Sequence, residues 1–154
     1  MANPLQMLKL KPTALQFIEE VAINAAPKKV WATTAKPGSW FFFNPDKATH
    51  SKHSFELKVG GMWTAANPNG SSGLMGTVSY IEPGKLLRIS GPLGLTHVPT
   101  TNVLIFELVP SADGKKTTLR VGTRMFGFLD KDVKKRFGDA WKMLLGQLKA
   151  AAEG

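Results

Sequence analysis

The sequence contains no cysteine among its 154 residues. Disulfide bonds, thiolate metal ligands and cysteine nucleophiles are therefore excluded. No apolar run approaches the roughly 18 residues that a membrane-spanning helix needs. Residues 1–11 are too short and too interrupted for a secretory signal. A cytoplasmic location is the default expectation, and a protein exported with a signal that was later removed is the alternative.

Acidic residues are also scarce. The chain has 11 acidic and 20 basic residues, which gives a net charge of +9. Such a charge can attract nucleic acids or anionic membranes. The basic residues are scattered, however, and their densest group, Lys131, Lys134, Lys135 and Arg136, fits the solvated face of a helix. No nucleic-acid-binding signature interleaves aromatic residues with these charges. We predict no specific nucleic-acid binding and leave open a weak contact with acidic surfaces.

Histidine is rare, with three residues in the chain. His50 and His53 have an H-x-x-H spacing, but no carboxylate or cysteine is placed to complete a metal site, so we predict no metal and no cofactor. His97 falls in a loop, where it is either a general acid–base group or a solvated side chain. No carboxylate falls in the inward phase of a strand, which argues against an enzyme, and we predict no catalytic residue.

The clearest local pattern is a C-terminal amphipathic helix over residues 130–153. Its apolar residues recur at steps of three and four: Val133, Phe137, Trp141, Leu144, Leu145, Leu148 and Ala152. This period predicts one continuous helix. A helix of about 22 residues is roughly 33 Å long, which is enough to lie across an entire curved sheet.

The body of the chain has the pattern of β-strands separated by turns. The predicted strands are residues 17–23, 52–59, 62–66, 74–82, 85–90, 102–109 and 116–128. Asn24 is the expected cap of a helix that begins near Pro27. Residues 40–43, WFFF, are predicted to form a short helix or turn that packs as a lid against the sheet. The order of elements predicts an α+β fold.

Several segments resemble, in order, the motifs of one superfamily. They are residues 26–31 (APKKVW), 54–63 (SFELKVGGMW), 76–78 (GTV), 81–88 (IEPGKLLR), 106–110 (FELVP), 117–119 (TTL) and 137–148 (FGDAWKMLLGQL). Together they resemble the START/Bet v 1-like helix-grip superfamily, also called SRPBCC. Within it, the chain is most similar to the branch of Hsp90-ATPase-activator homologues and small polyketide-cyclase-like proteins.

This resemblance implies a helix-grip fold. A curved antiparallel sheet of about seven strands would wrap around the long C-terminal helix, with two short helices after the first strand. We expect a single domain of this type over residues 17–154, after an N-terminal extension of residues 1–16. The resemblance also implies an apolar cavity between the sheet and the helix.

Strand parity and the helix period together predict which residues face that cavity. The predicted ligand-binding residues are Trp63, Ala65, Val78, Tyr80, Leu87, Ile89, Leu104, Phe106, Val121, Thr123, Met125, Trp141, Leu144 and Leu145. The predicted cavity mouth consists of Trp40, Phe43, Leu95 and His97. Most of these side chains also suit a plain core. We expect a backbone partner for the Thr123 hydroxyl and leave the partner of Tyr80 open.

The leading functional hypothesis is the binding of a small hydrophobic, aromatic or lipid-like ligand, held mainly by desolvation. One alternative is an enzyme similar to polyketide cyclases and aromatases, with Tyr80 or His97 as the acid–base group. Another is a protein-interaction module similar to a chaperone cofactor, whose basic exterior contacts a protein partner. A tightly filled interior would favour this last hypothesis.

Overall fold

The computed structural model describes residues 4–9, 11–93 and 100–154. Within these ranges, seven strands form one antiparallel sheet in the order β1-β7-β6-β5-β4-β3-β2. The strands are β1 (Thr13–Ile23), β2 (Lys52–Phe55), β3 (Met62–Ala66), β4 (Ser72–Glu82), β5 (Leu86–Gly91), β6 (Thr100–Pro110) and β7 (Thr117–Gly127). The helices are α1 (Pro4–Met7), α2 (Pro27–Thr34) and α3 (Val133–Glu153), and short 3₁₀ turns lie at Pro37–Ser39 and Lys47–Thr49. The α+β helix-grip prediction is confirmed.

Strand β1 begins four residues before the predicted start at Phe17, because it pairs along its whole length with β7. The register runs from Thr13 opposite Gly127 to Ile23 opposite Thr117. The apolar–polar alternation of the strand extends back to Leu15, which is half-buried. A long partner strand therefore extends the element beyond its most apolar part.

Helix α3 buries one stripe along its length, as its period predicts. Val133, Trp141, Leu144, Leu145, Leu148 and Ala152 are buried. Its C-terminal end is fastened to the end of β1 and to the residue after it. Lys149 Nζ donates to the Ala22 carbonyl at 2.7 Å, and the Asn24 N–H donates to Glu153 Oε1 at 2.7 Å. The predicted capping role of Asn24 is wrong, since Ala26 is the N-cap of α2 and makes no side-chain cap bond.

Tyr80 is predicted to face inward but faces outward, with 45% of its surface exposed. The register of β4 against β5 shifts between Val78 and Tyr80. Such a bulge inserts one residue and reverses the parity after it. Tyr80 therefore lies opposite Arg88 on the outer face, and the Arg88 guanidinium carbon is 6.0 Å from the centre of its ring.

Among the helices of the described ranges, none combines the length and apolar character needed to cross a membrane.

Candidate functional site

The centre of the predicted cavity is filled by an aromatic cluster, defined here as Trp40, Phe41, Trp63, Phe106 and Trp141. The Trp40 ring centre lies 6.2 Å from that of Trp63, 6.2 Å from that of Phe106 and 6.4 Å from that of Trp141. The Phe41 and Trp63 ring centres are 5.1 Å apart in an edge-to-face arrangement. The space between the middle of the sheet and α3 is therefore occupied by the protein itself.

The predicted cavity residues fall mostly into this core. Those that are buried as predicted are Trp63, Ala65, Val78, Leu87, Ile89, Leu104, Phe106, Val121, Thr123, Met125, Trp141, Leu144 and Leu145. Trp40 was expected at the mouth but is only 1% exposed, because its indole is inside the cluster. Phe43 is 63% exposed. Leu95 and His97 lie outside the described residues.

Open space remains at one end of the molecule, between the N-terminal half of α3 and the ends of β3 and β4. This end pocket has a volume of about 490 Å³. Its apolar walls are Phe41, Phe43, Ala65, Met75, Leu93, Phe137 and Ala140. A volume in the range of about 300–1,000 Å³ with mainly apolar walls is typical of small-molecule sites. Ala65 and Phe43 are the members of the predicted set that line it.

The rim of the end pocket beside the β3–β4 turn is polar, and its side chains bond to one another. Ser51 Oγ donates to Asn67 Oδ1 at 2.6 Å, and Asn67 Nδ2 donates to Ser71 Oγ at 2.9 Å. Ser71 Oγ donates in turn to Asn69 Oδ1 at 2.6 Å. This chain of bonds holds the turn in one shape, which gives the pocket a preformed edge.

Arg136 lies on the opposite rim, in the first turn of α3. Its Nη2 donates to Asp130 Oδ2 at 2.6 Å. The side chain remains 63% exposed despite this ion pair. The pocket thus combines apolar walls with a guanidinium group at its edge.

The phenylalanine segment, residues 41–43, forms the wall between the end pocket and a second hollow of about 250 Å³. Gln147 on α3 fastens the start of this segment, since its Nε2 donates to the Trp40 carbonyl at 2.6 Å and to the Phe42 carbonyl at 2.9 Å. The Phe42 ring stacks on His50 with their centres 4.6 Å apart. The segment is therefore held from both sides.

His53 connects the same segment to the core. Its Nδ1 accepts a hydrogen bond from Trp63 Nε1 at 2.9 Å, and its ring lies edge-on to Phe41 at 5.7 Å. Burial lowers the pKa of His53, and a hydrogen bond with the Phe41 backbone acts in the opposite direction. A neutral imidazole that accepts at Nδ1 carries its proton on Nε2. The H-x-x-H pair thus supports aromatic side chains.

Leu93 closes the pocket near the end of β5 in an uncommon backbone conformation, with φ of 51°. Its N–H donates to the Met75 carbonyl at 2.7 Å. The approach of β4 and β5 beside it requires glycine, because a Cβ at Gly76 would lie 2.4 Å from Ile89 Cγ2. Left-handed conformations of bulky residues cost energy and persist where the surroundings enforce them.

Two buried polar atoms on the inner face of the sheet have no hydrogen-bond partner among the described residues. They are Thr123 Oγ1 on β7 and Asn102 Oδ1 on β6. The expected backbone partner of Thr123 is therefore wrong. The expectation that no carboxylate faces inward is also wrong, because Glu19 occupies the inward phase of β1, opposite Val121 and 4.0 Å from Lys142 Nζ. Neither Thr123 nor Glu19 lines the end pocket.

Most residues of the end pocket were not predicted. Phe137 belongs to the predicted apolar stripe and Ala140 does not, and both are only half-buried although Val133 and Trp141 on either side are buried. Met75 and Leu93 depend on the irregular junction of β4 and β5, which strand parity does not describe. The sequence does carry one signal for Arg136, because a cation in the first turn of a helix is unusual where the helix dipole favours acidic side chains.

The outer face of the sheet has a concavity of about 750 Å³, lined by residues that include Ile18, Ile105, Gly122 and Arg88. Strand residues alone line it, so a small ligand there would be covered on one side only. Within the described ranges, no group of three or more His, Asp or Glu side chains could hold a metal ion. The end pocket is therefore the candidate functional site.

Solved structures share this fold at low sequence identity. A protein of unknown function, SA2116 from Staphylococcus aureus, superposes with a TM-score of 0.70 and 15% identity over 93% of this chain and 96% of that chain. The Mll3558 protein from Rhizobium loti gives a TM-score of 0.71 and 20% identity over 92% and 99% of the two chains. CalU16 from Micromonospora echinospora superposes with a TM-score of 0.59 and 19% identity over 90% of this chain and 76% of that chain. These similarities concern the fold alone.

No curated protein sequence matches the chain. A family model does match, and it covers residues 24–153, from the segment before α2 to the end of α3. This range includes six of the seven strands and the helix that grips them. The predicted superfamily and branch are thereby confirmed. The chain belongs to the family of Activator of Hsp90 ATPase homolog 1-like proteins, within the SRPBCC superfamily.

Proposed function

We propose that the protein binds a small hydrophobic, aromatic or lipid-like ligand in the end pocket. The observation that carries this proposal is a preformed hollow of about 490 Å³ with apolar walls, open beside a rigid polar rim. Covering about 300 Å² of ligand apolar surface would contribute about 7 kcal/mol before the entropic costs of association. A gain of about 7 kcal/mol corresponds to a Kd of about 10 μM before those costs, and the costs weaken binding from that value.

The proposal places the ligand at the end of the sheet rather than at its centre. The aromatic cluster fills the centre, and displacing indole rings from it would cost several kcal/mol per residue. The end pocket needs no such rearrangement. Its ligand would contact Phe41, Met75 and Phe137 and would stop at the aromatic cluster.

The test is to fill the end pocket from α3 with Ala140→Trp and to measure Nile red binding by fluorescence. Nile red is a neutral, environment-sensitive dye, so its emission reports an apolar site. We expect saturable binding to the wild type and a loss of at least tenfold in affinity in the variant, because the indole would occupy the hollow.

The matched control is Met143→Trp, which adds an indole on the same helix at a residue that is 40% exposed and does not line the pocket. This variant should bind Nile red like the wild type. Absence of dye binding by the wild type, or equal binding by Ala140→Trp, would contradict the proposal.

A protein-interaction module is the second candidate, and the filled centre is the observation that favours it. Exposed apolar side chains on the outer face, among them Ile18, Tyr80 and Phe126, supply a surface for such contacts. Ile18→Glu should then abolish capture of a partner that binds this surface while leaving Nile red binding unchanged. Tyr80 cannot serve as the acid–base group of the cyclase-like alternative in the end pocket, since its ring lies on the opposite face of the sheet.

A further inference from the structure

The charge of the end pocket comes from one side chain. Among its described lining residues, Arg136 is the only ionisable group, and no carboxylate is present. The other polar lining side chains are Ser51, Asn67, Ser71 and Ser72, of which the first three bond to one another or to Asn69. A ligand that enters therefore meets apolar walls and one strong donor with a positive charge.

The first turn of α3 is basic although a helix N-terminus favours acids. It contains Lys134, Lys135 and Arg136 and no acidic residue. Cations at this end interact unfavourably with the helix dipole, at a cost of a few tenths of a kcal/mol each. The N-cap residue Asp132 makes no side-chain capping bond that would offset this. Arg136 is accommodated at this end by its ion pair with Asp130, which precedes the helix.

The ion pair of Arg136 leaves donors available. One nitrogen, Nη2, donates to Asp130 Oδ2, and no second bond joins the two side chains among the described contacts. A guanidinium has five N–H donors in a planar fork, and its preferred partner is a carboxylate or phosphate. A second acceptor can therefore bind from the pocket side while the contact with Asp130 is kept.

We infer that the end pocket takes an amphipathic carboxylate, in which an apolar chain or ring lies between Met75 and Phe137 and the carboxylate is bound by Arg136. This inference rests on the proposed function and names the chemical class of its ligand. The apolar part supplies most of the affinity, and Arg136 supplies orientation and preference for an anion. Asp130 reduces this preference, since its carboxylate competes for the same group.

The test compares two ligands of equal chain length, octanoate and 1-octanol, as competitors of bound Nile red. We expect octanoate to displace the dye at about a 3- to 10-fold lower concentration, because a partly exposed charge-assisted bond is worth that much. The preference should shrink in high salt, where the exposed pair is screened. In Arg136→Gln the two ligands should become equivalent, while octanol binds as before.

The control variant is Lys134→Gln, which removes the same charge from the same helical turn at a residue that does not line the pocket. It should keep the preference for octanoate. Equal displacement by both ligands in the wild type, a preference that survives in Arg136→Gln, or an equal loss in Lys134→Gln would overturn the inference. Failure of both ligands to displace the dye would overturn the inference alone, whereas the proposed function fails only if the wild type does not bind the dye or Ala140→Trp binds it equally.

A membrane surface is the competing source of an anion, and vesicles of phosphatidylglycerol distinguish it. If the protein sediments with such vesicles and shows no preference for octanoate over octanol, the basic turn is a membrane contact and the inference is wrong. If octanoate is preferred and Arg136→Gln removes that preference, the inference stands whether or not the protein sediments with the vesicles.

Discussion

At the scale of single residues, His53 is the titratable group most closely tied to the pocket wall. Its Nδ1 accepts from Trp63, and its ring contacts Phe41. Protonation would place a second N–H against the Trp63 N–H, so the hydrogen bond would be lost. Burial disfavours the charged form of the imidazole, and it therefore lowers the pKa of His53 below its ordinary value of 6.5.

The sign of the resulting pH dependence follows from that direction. The unfolded chain binds a proton at His53 as the pH falls through about 6.5, whereas the folded protein resists it until the lower pKa. The free energy of unfolding should therefore be fully retained above about pH 6.5 and decrease between that pH and the lowered pKa. Urea denaturation at about pH 7.5 and about pH 5.5 measures this decrease.

The variant His53→Asn keeps an acceptor near the position of Nδ1 and cannot titrate. Its stability should change less between these pH values than that of the wild type. An unaltered pH dependence in His53→Asn would show that other groups cause it.

Thr123 and Thr117 form a matched pair on β7 with opposite expected effects. Both are buried, at 5% and 2% exposure. Thr117 Oγ1 donates to the Ala25 carbonyl at 2.8 Å, whereas Thr123 Oγ1 has no partner among the described residues. Replacing an unpaired buried hydroxyl by a methyl group removes a desolvation cost, and replacing a bonded one leaves its partner unsatisfied.

We therefore predict that Thr123→Val stabilises the protein by about 1 kcal/mol and that Thr117→Val destabilises it by about 1–3 kcal/mol. Thermal unfolding of the two variants and the wild type under the same conditions tests both signs. Destabilisation by Thr123→Val would mean that the hydroxyl has a partner in solution, such as a buried water molecule.

At the scale of elements, the position of the site is determined by how α3 contacts its surroundings. Its C-terminal half is fastened near β1 through Lys149 and Glu153, and Gln147 holds the start of the phenylalanine segment. Its first turns instead line open space through Phe137 and Ala140. The pocket therefore forms at the end of the helix that makes fewer of these fastening contacts.

The elements themselves could be predicted because they depend on local periods. The heptad-like spacing from Val133 to Ala152 identifies α3, and Met62–Ala66 matches the predicted third strand. Alternation places Leu104, Phe106 and Val121 inward, and all three are buried. Periodicity describes a residue relative to its own element, and that information is present in the sequence.

The site could not be predicted to the same extent, because it depends on irregularities between elements. A bulge reverses the side chain of Tyr80, and the Gly76–Gly91 approach positions Leu93. Trp40 follows a 3₁₀ turn, and its burial results from contacts with strands and α3 that are distant in sequence. Periodicity alone does not specify whether such a residue closes a cavity or fills it.

At the scale of the whole molecule, the aromatic cluster brings together side chains from parts of the chain that are distant in sequence. Its rings come from the segment after α2 (Trp40 and Phe41), from β3 (Trp63), from β6 (Phe106) and from α3 (Trp141). Edge-to-face and tilted pairs of this kind contribute about 0.5–1.5 kcal/mol each beyond their buried area. Separation of α3 from the sheet would therefore expose aromatic rings on α3, on the sheet and on the segment after α2.

This coupling predicts a single cooperative unfolding transition. Three of the four tryptophans lie in the aromatic cluster, and Trp31→Phe removes the other one, so the emission of that variant reports only the cluster. Its fluorescence midpoint in urea should coincide with the midpoint from far-ultraviolet circular dichroism, which reports the backbone. A fluorescence midpoint at lower urea would mean that α3 or the phenylalanine segment detaches first. The end pocket would then be bounded by an element that opens on its own, and ligand binding would shift the fluorescence midpoint more than the backbone midpoint.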